Sequence, residues 1–177
     1  VYPNKIHKMK ISSEELMRSL KNGKIQAMEK LIERHQPFLA NYFFRMCGDR
    51  HVSEDLMQET FTRVYQYRNS YVTGDPFFIW FFQIARNLWY SQYKRLQKQP
   101  SYIAGPIETL HLIKVQSQET AYDNKQMVAA VLQLLEEKER ELITLYCLKE
   151  FSYKELCALF GMTEINLRVK LSRTLKK

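Results

Sequence analysis

A chain of 177 residues is long enough for one domain or two small ones, and 45% hydrophobic with 13% aromatic content excludes a coreless, disordered polymer. The 27 Lys and Arg against 19 Asp and Glu leave a formal charge of +8, which favours a polyanionic partner without identifying one. Cys47, Cys147 and Cys157 are too scattered for a zinc site, so they are expected to be free thiols in a reducing compartment, with no bound metal.

Val1 to Lys10 is polar and basic and lacks the apolar core of a secretory signal. Ser12 and Glu15 have capping-box spacing, which predicts a first short helix ended by Asn22-Gly23. A second helix is predicted from Lys24 to about His35, and Pro37 is predicted to start a third that carries Phe38, Tyr42 and Met46. Gly48-Asp49 breaks the pattern. Ser53 is then expected to cap a helix to about Asn69, with Leu56, Met57, Phe61, Val64 and Tyr65 facing inward. Thr73 to Pro76 is a predicted turn, followed by a long helix to about Lys98. The run from Pro76 to Phe82 is the longest greasy stretch, far short of the roughly 20 apolar residues that span a bilayer. A soluble, cytoplasmic protein without membrane insertion is expected.

From Gln99 to about Ala121, Pro100, Gly105 and Pro106 interrupt the periodicity, as in a tether between domains, with a short helical piece expected around Leu110–Val115. Helical spacing resumes at Tyr122 with Met127, Val131, Leu134 and Leu135. A further helix from Lys138 to Leu148 is expected to turn Leu142, Leu145 and Tyr146 inward. Ser152 can cap a short helix carrying Leu156, Leu159 and Phe160, which Gly161 ends. Thr163 can cap a last helix with Leu167, Leu171 and Leu175 on one side and Arg168, Lys170 and Arg173 between them. The pair is a helix-turn-helix whose last helix has an apolar inner and a basic outer face, as a helix in the DNA major groove needs. A packing unit with a solvated basic face is the plainer alternative. The whole is predicted all-α: two small helical domains, 1–98 and 122–177, joined by a flexible linker over 99–121.

Two further faces carry information. Phe77, Trp80, Phe81, Ile84 and Leu88 share one stripe of the long helix and are expected in the core, while Asn87, Ser91, Lys94, Arg95 and Lys98 share the opposite one. Trp89, Tyr90 and Tyr93 lie at its margins, and no acid occurs between Asp75 and Glu108. Aromatics among cations suit single-stranded nucleic acid, where bases stack and phosphates pair, although a core helix with a wet basic side has the same composition. On the preceding helix Asp55, Glu59, Thr62 and Gln66 form a polar stripe with Gln58 beside it. Two carboxylates do not suit DNA, so this stripe faces either solvent or a protein.

Taken together, Ser53-Glu-Asp-Leu-Met-Gln-Glu-Thr-Phe-Thr-Arg-Val-Tyr65, then Trp80 and Ile84-Ala-Arg-Asn87, then Ser152-Tyr-Lys-Glu-Leu156 with the following helix, resemble a bacterial RNA polymerase sigma factor of the extracytoplasmic-function type. The resemblance runs from about Leu31 to the C-terminus, excluding the linker. It implies a protein that binds core RNA polymerase and promoter DNA, with no cofactor and no catalytic site. It places Asp55, Gln58, Glu59 and Thr62 against the coiled coil of the polymerase clamp. Asn87, Tyr90, Ser91, Lys94 and Arg95 would face the melted −10 strand, with the loop Tyr71–Pro76 near a flipped-out base. Thr163, Glu164, Asn166, Arg168, Lys170, Ser172 and Arg173 would face the −35 duplex. It also implies an anti-sigma protein that covers these surfaces, of which the residues themselves show nothing.

The chain departs from the family where Ser91 replaces a frequent Asp, Glu136 a frequent Pro, and Ile165-Asn166 the usual Gly-Thr. The set Glu164, Asn166 and Arg168 therefore leaves its −35 preference unread. His7, His35, His51 and His111 stand apart from plausible nucleophile or metal partners, which argues against an enzyme acting on nucleic acid. A free-standing dimeric helix-turn-helix regulator would leave the acidic stripe without a purpose.

Overall fold

Local polar contacts start and stop most of the helices in this computed structural model, which describes residues 11–98 and 121–176, with side chains in the second stretch from 125 onward. Helix α1, Ser13–Lys21, opens on the expected capping box: Ser12 Oγ accepts from Glu15 N at 3.1 Å, and Ser12 N donates to Glu15 Oε2 at 2.9 Å. Helix α2 is Gln26–Cys47 and runs straight through Pro37. The expected break there is wrong. Proline forfeits one backbone hydrogen bond, but Leu31, His35, Phe38, Leu39 and Tyr42 are buried on both sides of it, and that packing keeps the helix continuous.

Helix α3 is Arg50–Gln66 and its cap is Asp49, whose carboxylate accepts from Val52 N at 3.0 Å. Ser53 does not cap it. It is buried against α2, its hydroxyl donating to Ala40 O at 3.3 Å. A single 3-10 turn, Arg68–Ser70, leads to the loop before α4, Phe77–Gln97. The second stretch folds as α5, Ala121–Gln133; α6, Glu137–Leu148; α7, Tyr153–Phe160; and α8, Glu164–Thr174. No strand occurs among the described residues, only an isolated Thr73–Asp75 bridge. The helical piece expected at Leu110–Val115 and the polar stretch Val1–Lys10 lie outside them.

Helix α2 is the hub, packed by α1, α3, α5 and α6, while α4 lies across α3 and α1. The buried apolar residues of both halves form one continuous cluster. Phe151, just before the helix-turn-helix, enters an aromatic group of the first half, 4.9 Å from Phe82 and 5.1 Å from Phe78 between ring centroids. Several residues expected inside are not. Tyr65 is exposed with the Arg68 guanidinium 4.3 Å above its ring, and Tyr146 is exposed edge-on to Tyr153. Leu175 lies beyond the end of α8 and is exposed. Trp80 and Ile84 are half-buried. On α5, Ala129 and Leu132 face the core and Met127 and Val131 do not, and Leu134, just past its end, is exposed.

Candidate nucleic-acid interface

The helix-turn-helix is built by its own short-range chemistry. Ser152 and Glu155 form a second capping box for α7, and Gly161 ends it in the left-handed region at φ 62°. Thr163 Oγ1 then accepts from Asn166 N at 3.3 Å and starts α8. Leu156, Leu167 and Leu171 are buried and fix the angle between the helices. This turns Thr163, Glu164, Asn166, Arg168, Ser172 and Arg173 to solvent, with Lys170 half-buried. Arg168 is held on two sides: Nη2 lies 2.6 Å from Glu164 Oε1, and the guanidinium sits 5.4 Å from the Tyr153 ring centroid. A guanidinium has five N–H donors, so one such bond leaves a fork able to meet guanine edges.

On α4, Asn87, Ser91, Lys94 and Arg95 are exposed, with Ser91 Oγ donating to Asn87 O at 2.9 Å. Tyr90 differs from them, because its hydroxyl donates to Glu141 Oε2 at 3.1 Å. Trp89 is not marginal: it is fully buried and donates its indole N–H to Glu137 Oε1 at 3.0 Å. In the preceding loop Tyr71 is buried while Val72 to Pro76 are exposed, and Gly74 takes φ 110°, which favours glycine.

The acidic stripe of α3 is a separate face. Asp55, Gln58, Glu59 and Thr62 are all exposed. Glu59 accepts from Arg63 at 2.7 Å, and Thr62 Oγ1 donates to Gln58 O at 3.0 Å. An exposed i,i+4 ion pair is worth about 0.3–0.5 kcal/mol, so Glu59 is easily recruited by another cation.

A buried ionic seam joins α4 and α6. The Glu141 side chain is fully buried and accepts from Arg86 Nε at 2.8 Å, Arg86 Nη2 at 3.0 Å, Tyr42 Oη at 3.2 Å and Tyr90 Oη. Burial opposes the Arg86 charge, but the bonds and charge of Glu141 outweigh it and raise the guanidinium pKa. Burial, then the Glu141 charge, push both phenols above their ordinary values. Next to them Arg140 donates to the carbonyls of Met46, Leu132, Gln133 and Leu135, tying α6 to the ends of α2 and α5. Sequence reasoning missed this seam, because its partners are far apart in the chain. One signal was available: Glu141 shares a face with Leu145 and Leu148, a carboxylate at core spacing.

Among the described residues no three His, Cys, Asp or Glu are grouped to hold a metal, and no helix is long and apolar enough to cross a membrane. His35 is a core histidine bonded to Ser13 Oγ at 2.9 Å. His7 and His111 lie outside the described residues.

Residues 31–99 match the family Sigma-70 region 2, and residues 125–177 match Sigma-70, region 4. The ECF RNA polymerase sigma factor SigM of Bacillus subtilis (strain 168) is 30% identical over 146 residues, which are 82% of this chain and 89% of SigM. The RNA polymerase sigma factor CarQ of Myxococcus xanthus is 26% identical over 161 residues, 91% of this chain and 92% of CarQ. Among solved structures, CnrH in complex with the cytosolic domain of CnrY superposes with a TM-score of 0.70 at 20% identity, covering 93% of this chain and 92% of that one. The sigma factor RpoE in complex with the anti-sigma factor NepR, from Bartonella quintana, superposes at 0.61 with 21% identity, covering 84% and 91%.

Proposed function

The chain belongs to the extracytoplasmic-function RNA polymerase sigma factors, and from that premise we propose how its residues divide the work. It binds core RNA polymerase and directs promoter-specific initiation through the −10 and −35 elements. Residues 1–98 serve as the unit that docks on the polymerase clamp and holds the melted −10 strand, 122–177 as the unit that reads −35, and 99–121 as their tether. The observation that carries this division is the distribution of charge: Asp55 and Glu59 are exposed on α3, α4 exposes Lys94 and Arg95 and contains no acid, and α8 exposes Arg168 and Arg173 with Glu164 as its single acid. One face suits a basic protein surface and the others suit phosphates.

Asp55, Gln58, Glu59 and Thr62 bind the clamp. Asn87, Ser91, Lys94 and Arg95 hold the melted strand, joined by Tyr90 when it leaves Glu141, with bases captured near the loop Tyr71–Pro76. Extruding a base costs a few kcal/mol, and stacking of about 1–3 kcal/mol per base offsets it. Arg168, Lys170 and Arg173, with Thr163, Glu164, Asn166 and Ser172, lie along the −35 groove. The protein performs no chemistry of its own and works in the cytoplasm, where its polymerase is.

The two elements lie about 25 base pairs apart by their names, or about 85 Å of duplex at about 3.4 Å per pair. A single folded body of this length has a radius of gyration of about 16 Å and cannot reach both. Opening of the seam lets residues 99–120, at most about 75 Å extended, supply the reach. We also propose an inhibitory protein partner, since CnrH and RpoE were solved with CnrY and with the anti-sigma factor NepR.

The test is binding of the purified chain to bacterial core RNA polymerase, wild type against Asp55→Ala/Glu59→Ala. Tight binding lost in the double variant is the expected result. Equal binding by both would remove α3 from the docking surface.

A further inference from the structure

Both ends of the exposed loop between Tyr71 and Phe77 are tied to one helix. Lys21 Nζ donates to Tyr71 O at 2.7 Å, and Phe77 N donates to Glu14 Oε1 at 3.2 Å. The partners are 50 and 63 residues apart in the chain, so neither bond is a by-product of local geometry. Both clamping side chains, the Lys21 donor and the Glu14 acceptor, come from α1, which lies outside the stretch 31–99 that matches region 2. Seven residues along a helix are two turns, about 10 Å, so Glu14 and Lys21 share a face. Met17 sits between them and is fully buried.

The Glu14 bond does a specific job. Helix α4 begins after Pro76 without any side-chain cap of its own, leaving its first N–H groups without helical partners. Glu14 supplies the missing acceptor from another helix, and its negative charge suits the positive end of α4. Within the loop, Tyr71 Oη donates to Asp75 O, and the Tyr71 ring lies edge-on to Trp80 at 5.4 Å. Both ends of the loop are thus fixed while Val72 to Pro76 face solvent. Helix α1 has its own attachment: Arg34 donates to Ile11 O at 2.6 Å and to Ser13 Oγ at 2.9 Å, and Leu16 and Leu20 are buried.

We propose that α1 is a positioning element for promoter reading, in which Glu14 and Lys21 hold the 72–76 loop in the one conformation that selects a base of the melted strand. The inference rests on the reading of that loop as a base-capturing segment. Because α1 is anchored separately, losing the clamp frees the loop without releasing the helix.

The experiment uses holoenzyme reconstituted with the full chain, and a fork-junction DNA pool with the non-template strand randomised through the −10 region. Bound molecules are sequenced for wild type, Glu14→Ala/Lys21→Ala and Glu14→Gln, and core affinity is measured for each. The expected result is a fall of about tenfold in preference at one or two adjacent positions for the double variant. Other positions and core affinity hold, and Glu14→Gln, which keeps the acceptor oxygen, matches wild type. An unchanged profile would overturn the proposal. So would a uniform loss at all positions together with weaker core binding, which marks a merely structural role. A wild-type profile flat across the melted strand would overturn the loop reading itself and this inference with it.

Discussion

The Arg86 guanidinium meets both carboxylate oxygens of Glu141, at 2.8 and 3.0 Å, across helices 55 residues apart in sequence. The contact joins α4, whose exposed residues we propose for the −10 strand, to the half whose last helix we propose for −35. It also commits Tyr90, whose hydroxyl shares the same carboxylate. In this closed arrangement Tyr90 is occupied, whereas Asn87, Ser91, Lys94 and Arg95 on the same helix remain exposed. A buried ion pair gains little over an apolar contact of the same shape, but it is costly to half-break. The seam is therefore a latch through what mispairing costs rather than through what the complete pair gains.

Glu141→Ala should open that latch. It strands Arg86 and two phenols without their acceptor, and breaking a buried pair typically costs about 3–5 kcal/mol. Glu141 lies between the halves, bonded to Tyr42, Arg86 and Tyr90 of the first, so the loss falls on the contact between them. A larger radius of gyration in small-angle scattering is expected, with a lower unfolding midpoint. The double variant Arg86→Ala/Glu141→Ala should lose less than the sum of the single changes. Additive losses with unchanged scattering would show that the pair is not coupled.

His35 predicts a pH dependence of stability. Burial, then the Arg34 charge, lower its pKa from 6.5 to about 4, with Glu14 acting weakly the other way. The folded chain therefore holds it neutral where the unfolded chain protonates it. Below pH 6.5 the unfolded state binds more protons, so stability falls as pH drops from 6.5 towards 4 and is flat in this term above 6.5. Denaturant titrations between about pH 5 and 7 should show that slope in wild type and a shallower one in His35→Gln. Equal slopes would mean that His35 keeps its ordinary affinity for protons in the fold.

What the sequence disclosed and what it hid divide by range. Ser12 with Glu15, Ser152 with Glu155, and Thr163 are caps three residues long, written in neighbouring letters, and all three form. Ser53 looked like a cap on the same grounds. Asp49, four residues earlier, takes the role because Ser53 is buried against Ala40 of another helix. Pro37 carried a true local preference that packing on both sides overrides. The exposed basic and acidic stripes were legible because amphipathic period alone sorts them. The Glu141 seam and the Glu14–Phe77 cap were not, since each joins residues that only the tertiary fold brings together.

Arg168→Ala with Arg173→Ala should weaken binding to −35 duplex while leaving core affinity intact. Each lost base-edge contact is worth about 1–3 kcal/mol, or about 5- to 150-fold. Tyr153→Ala should relax preference at the same base as Arg168→Ala by a smaller factor, because it removes only the ring beneath the guanidinium. Competition assays against duplexes changed one pair at a time would check both. Loss of core affinity in the Arg168/Arg173 variant would contradict separate surfaces.

Lys94 and Arg95 make the last prediction, on the melted strand. Both are exposed in the last turn of α4. If they neutralise phosphates, each contributes to the counterions released on binding, about 0.7 per contact for single strands. Holoenzyme carrying Lys94→Ala/Arg95→Ala should then bind a −10 non-template oligonucleotide with a log–log salt slope shallower by about 1.4 than wild type. Base preference should survive, because phosphate contacts position the strand and do not read it. The comparison belongs with Asn87→Ala, which should alter base preference at nearly constant slope. A Lys94/Arg95 variant that keeps the wild-type slope would place these cations off the strand and leave Asn87 and Ser91 to hold it.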